Sequence, residues 1–170
     1  MENTIIAELK PQWKEVENAR NICSKFLAEH NYPLDTIDSI VMVVSELVEN
    51  AVKYGDFIAS NNKIEFMLIT GNKIIVEVKC PIIKSKNQHF KRLDRTIQWI
   101  RGHQNPFEAY IEKLKVVSTR SGRDQESGLG LFRIAYEGMA ILDFYVSDDG
   151  IISVSAVYEF DNFEGERNAG

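Results

Sequence analysis

The hydrophobic period of the chain changes at Gly55, and that change limits what it can fold into. Before it, Ile40, Val44, Leu47, Val48 and Ala51 recur at helical spacing. After it the period turns to alternating, in KIEFMLIT and KIIVEVKC, two runs rich in Ile, Val and Phe on either side of Gly71–Asn72. A period near 3.6 marks an amphipathic helix, whereas a period of 2 marks a half-buried strand. A long helix must therefore feed a β-hairpin, and the two must share one apolar core.

The remaining elements follow from the same signals. TIIAELK reads as a first strand ended by Pro11, and Lys14–His30 as an amphipathic helix. NYPLD is a loop, Asp35 is placed to cap the long helix, and Gly55 to end it. ILDFYVS and IISVSAVYEF flank a DDG turn and form a second hairpin. Between the hairpins, Leu93–Arg101 reads as a helix. Another begins at Asn105, with Pro106 in the first helical position and Glu108 completing a capping box. SGLGLFRIAYEGMA supplies the last helix. The expected architecture is a two-layer α/β sandwich with a mixed, largely antiparallel sheet and helices on one face. We expect one domain over 1–160 with an insertion over 81–126, and a flexible tail over 161–170.

Composition excludes several classes. The chain has 170 residues, a net charge of −5 and 44% hydrophobic residues. That charge argues against nucleic acid, whose phosphates require clustered Lys and Arg. No apolar run is long enough to span a bilayer. MENTIIAELKPQWKE lacks the basic and apolar regions of a secretory signal. The two cysteines, Cys23 and Cys80, have neither metal-ligand spacing nor disulfide density, so a cytoplasmic location with reduced thiols is expected. One basic run, Lys84 to Arg101, is either a solvated surface or a contact for an acidic partner. His30, His89 and His103 are isolated, and Cys80 reads as a small buried hydrophobe.

Two stretches carry chemistry. In SELVENAVKYG, residues 45–55, Glu46, Asn50 and Lys53 form one stripe opposite the apolar side of the helix. A solvated stripe has the same spacing. Yet Asn offers an amide oxygen suited to Mg²⁺, Lys can meet phosphate oxygens, and Glu can take a proton from a hydroxyl. In the second stretch, ESGLGL over 126–131, Gly128 and Gly130 allow close backbone approach to an anion at a helix start.

Together, SELVENAVKYG resembles the N-box, and SGLGL the second glycine box, of the GHKL ATPase superfamily. Within it, the chain is most similar to the short bacterial anti-sigma-factor serine/threonine kinases. The resemblance implies a Bergerat-type fold binding ATP and Mg²⁺. By position, it implies Glu46 as catalytic base and Asn50 as the Mg²⁺ ligand. Lys53 and Tyr54 would line the nucleotide site, with Ser127, Gly128, Leu129, Gly130 and Leu131 at the phosphates and an ATP lid over 81–126. Implied partners are an antagonist protein that is phosphorylated and a sigma factor or similar regulator, with a homodimer possible and neither nucleic acid nor membrane involved.

The adenine-binding Asp-x-Gly-x-Gly of that superfamily has no counterpart in VEVKCPIIKSK, where Lys79–Ile83 occupy its place. Two functions are therefore carried forward. One is a partner-switching protein kinase. The other is a non-catalytic protein-binding module on the same fold that has lost adenine binding.

Overall fold

The computed structural model describes residues 2–58, 63–82, 88–118 and 128–160, with the side chains of 88–90 outside the description. In chain order the elements are β1 (Asn3–Leu9), α1 (Lys14–Glu29), α2 (Leu34–Tyr54), β2 (Ile64–Thr70) and β3 (Lys73–Pro81). There follow α3 (Gln88–Arg101), α4 (Pro106–Ser118), α5 (Gly130–Tyr136), β4 (Ala140–Val146) and β5 (Ile151–Glu159). Ser127 and the tail 161–170 lie outside the described residues.

The five strands form one sheet in the order β1-β2-β3-β5-β4. The expectation of a mixed sheet is corrected, because every pairing among the described strands is antiparallel. The chain leaves β3 through the helical connector and returns as β4 in the same direction. The second hairpin then folds β5 back into the gap between them, so the two like-directed strands never touch.

Alternation along the strands separates two faces. Ile64, Phe66 and Leu68 of β2, with Ile74, Val76 and Val78 of β3, are buried on the inner face. Against them α2 lays Ile40, Val44, Leu47 and Val48, all of them also buried. α1 packs on α2 from outside, and α5 covers β4. The other face carries a row in register, Ile69, Ile75, Val157 and Ile141, which among the described residues no helix covers. No described helix is long and apolar enough to cross a membrane.

Two termini differ from the sequence reading. Pro33, not Asp35, occupies the N-cap of α2, and Asp35 lies in the first turn, where its charge favours the positive end of the helix dipole. Gly55 is extended, with φ −67° and ψ 151°, rather than left-handed. Its lack of a side chain matters for space instead, since a Cβ there would lie 2.4 Å from the Phe57 ring and 2.7 Å from the Ala51 carbonyl oxygen. Asn105 caps α4 as expected, its Oδ1 accepting the Phe107 N–H at 2.9 Å. The last helix is only seven residues long and ends before Met139, which takes a left-handed φ of 48°. Arg101, part of the basic run, donates to the Leu142 carbonyl at 2.6 Å and pairs with Asp143 at 3.0 Å, tying α3 to β4.

The two faces should differ sharply in energetic weight. Phe66→Ala is expected to lower the unfolding free energy by about 3–5 kcal/mol, as deletion of a buried ring does. Ile6→Ala, on the outer face where Ile6 is 60% exposed, should cost less than about 0.5 kcal/mol. Urea denaturation of both variants measures the difference, and equal losses would contradict a one-sided core.

Candidate functional site

The C-terminal half of α2 forms one wall of a cavity of about 310 Å³. The helix needs Leu47 and Ala51 on its sheet-facing side, so Asn50 and Lys53 are turned toward the opening. Tyr54, Gly55 and Asp56 continue that wall where the helix ends. The ends of β3 and β5 supply the floor through Val78, Cys80, Ile152 and Val154. Arg92, Leu93 and Thr96 of α3 and Gly128, Gly130 and Leu131 complete the lining, with Gly128 next to Arg92.

Of the residues named from sequence, Asn50, Lys53, Tyr54, Gly128, Gly130 and Leu131 thus line one cavity. Leu129 occupies the N-cap of α5, where its carbonyl accepts the Arg133 N–H at 2.9 Å. Lys53 Nζ stands 5.7 Å from the centre of the Trp13 ring, within cation–π range.

Glu46 is placed differently. It is absent from the lining, and its Oε1 accepts from Arg133 Nη1 at 2.5 Å. Arg133 in turn pairs with Glu137 at 3.2 Å, so one guanidinium serves two carboxylates. Burial pushes the Glu46 carboxyl above its ordinary value, and the Arg133 charge offsets only part of that rise. Gly130 abuts the same group, since a Cβ there would fall 2.4 Å from Glu46 Oε2. Sequence reasoning missed Arg133. Its spacing to Glu137 predicts a local helix pair, but nothing along the chain announces a partner on α2.

Gly128 has φ 59°, a left-handed conformation that glycine adopts without strain. A Cβ there would sit 3.0 Å from Arg92 Nη2 and 3.6 Å from Lys113 Nζ. Lys113 Nζ also lies 5.5 Å from the Phe132 ring centre. Two cations from α3 and α4 therefore converge on this turn.

The opposite end has another character. β3 runs straight through Lys79, Cys80 and Pro81, paired with Ser153, Ile152 and Ile151 of β5. Lys79 points to the outer face, where it pairs with Glu65 at 2.9 Å and Glu77 at 3.4 Å. Cys80 points inward, and burial pushes its thiol up to about 12. The Pro81 carbonyl accepts the Asp56 N–H at 2.7 Å. Ile83 lies outside the described residues. The polar end, with Lys53 and Arg92 in the lining, suits an anion, whereas the strand surface is apolar.

No protein-family model matches the chain, and no curated protein matches it. Among solved structures, a chain from the crystal structure of the SiaB–SiaC complex from Pseudomonas aeruginosa shares the fold, with a TM-score of 0.68 and 17% identity. The match covers 90% of this chain and 88% of that one. The resemblance to the GHKL superfamily and its anti-sigma-factor kinases is therefore corrected. It rested on two short stretches and on the order of elements along the chain, no family model supports it, and a solved structure that shares the fold is described as a complex of SiaB with SiaC. The physical basis for the correction is local. A polar helix stripe and a glycine turn recur wherever a helix borders a cavity, and here the stripe's carboxylate is engaged by Arg133.

The burial of Glu46 has a pH signature. Its folded value is raised, so its contribution to stability is present below the unfolded value and is lost as pH rises through the folded one. Glu46→Gln removes that loss. The stability of Glu46→Gln relative to wild type should therefore rise between acidic and neutral pH in urea denaturation. A flat difference would contradict a raised carboxyl.

Proposed function

We propose that the chain is a regulatory module acting through contacts with a protein partner and transferring no phosphoryl group. One observation carries this reading: Glu46, the residue expected from the sequence to be the catalytic base, is bound to Arg133 and does not line the cavity that holds Asn50 and Lys53. A general base must reach the proton that it removes, and this carboxylate is instead engaged by Arg133, beside Gly130 at the cavity's edge. The partner half of the reading is supported by the fold shared with a chain solved within a two-protein complex. The chain also has a surface suited to such contact. Phe107 and Tyr136 pack with their rings tilted at 50° and their centres 5.1 Å apart, and they are 42% and 38% exposed. Exposed aromatic clusters of this kind anchor protein interfaces. The partner is a protein regulator, with a sigma factor or its antagonist as the class to test first.

A second reading has its own observation. Asn50, Lys53, Gly128 and Gly130 gather on one cavity, which favours an anionic ligand such as Mg·ATP and would make the chain a protein serine/threonine kinase.

Calorimetric titration separates the two. With Mg·ATP at millimolar concentration we expect no saturable heat. We also expect no labelled phosphate on a protein recovered with the tagged chain. Recovery of that protein should survive Glu46→Gln and fail in Phe107→Asp. Nucleotide binding that requires Asn50, with transfer that requires Glu46, would replace the first reading with the second.

A further inference from the structure

The cavity has a cationic mouth and an apolar floor, and this pairing specifies a ligand. We propose that it binds a small amphiphilic anion, a medium-chain or aryl carboxylate, with the apolar body on the β3–β5 floor and the carboxylate at Arg92. Val78, Ile152 and Val154 present hydrocarbon to the cavity, and Leu93 and Leu131 face it from α3 and α5. The Cys80 thiol, held protonated by burial, adds only a weak donor. Such a floor rewards the burial of each ligand methylene and gives no return to a polar ring edge.

Charge selects the head group. Lys53 and Arg92 lie in the lining, and Lys113 stands beside Gly128 with Arg92. Asp56 is the acidic residue among the lining side chains. The balance is positive, although the chain carries a net charge of −5. An anion is drawn to that mouth and a cation is repelled. The left-handed Gly128 lets Arg92 come close to the turn, where a Cβ would crowd its guanidinium. At about 310 Å³, the cavity sits at the lower limit of roughly 300–1,000 Å³ for ligand sites, which suits a short chain or single ring.

The test uses octanoate, with 1-octanol, octylammonium and Mg·ATP as comparisons, each titrated into the full chain by calorimetry. Octanoate should bind saturably, and 1-octanol and octylammonium should not. Arg92→Gln, at an exposed position, should weaken octanoate by about tenfold or more, the loss expected of a charge-assisted hydrogen bond. Methyl NMR should place octanoate through shifts at Ile152 and Val154. Equal binding of 1-octanol, unchanged binding in Arg92→Gln, shifts confined to residues outside the cavity, or binding of Mg·ATP alone would each overturn the proposal. The outcome is independent of partner binding, because Phe107→Asp should abolish partner recovery and leave octanoate binding unchanged.

Discussion

The burial of the α2 stripe against the inner face of the sheet is the constraint on which the rest depends. Ile40, Val44, Leu47 and Val48 can be dry only if the helix lies across β2 and β3 in one rotational setting. That setting leaves no freedom for the opposite residues. Asn50 and Lys53 line the cavity because Leu47, Val48 and Ala51 on the same turns are committed to the core. α1 and α5 then pack on flanks that α2 has already defined. Site geometry is thus a by-product of hydrophobic patterning, held by the same interaction that stabilises the fold.

Electrostatics refine that frame. Arg133 lies between Glu46 on α2 and Glu137 at the end of α5, and it is the only joint between those helices that combines charge with hydrogen bonding among the described contacts. A half-buried carboxylate without this partner would carry the full cost of desolvation. The pair therefore makes a polar residue tolerable next to the core, and Gly130 supplies the room it needs. The outcome is a division of labour along one helix. Glu46 serves the joint, while Asn50 and Lys53, one and two turns on, remain at the cavity.

The sequence made much of this legible, for identifiable reasons. Two runs rich in β-branched residues around Gly71–Asn72 make the hairpin legible, whereas the consecutive apolar residues at 66–69 and 74–76 leave its buried face to be set by packing on α2. Asn105 and Pro106 announced α4 because capping is local chemistry. Long-range partners were not legible. The insertion of β5 between β3 and β4 depends on how the helical connector returns, and no residue in that connector encodes it by spacing. Arg133 sits among Phe132, Ile134 and Ala135 and shows only its local bond to Glu137. Likewise, SELVENAVKYG and ESGLGL pointed to Asn50, Lys53, Tyr54, Gly128, Gly130 and Leu131, which line one cavity, and to Glu46 and Leu129, which do not; they also suggested a superfamily that the comparisons do not support. Short motifs report local geometry; they do not report what fills the cavity opposite, which Val78, Cys80 and Ile152 decide.

The uncovered face of the sheet has a consequence for change over time. The pleat assigns Ile69, Ile75, Val157 and Ile141 to a row that the core does not use. Replacing any of them alters the outer surface while leaving inner neighbours such as Leu68 and Val76 packed against α2. The same strands therefore carry two nearly independent texts, one read by the interior and one by the surroundings. Descendants of this chain can revise the second without rewriting the first.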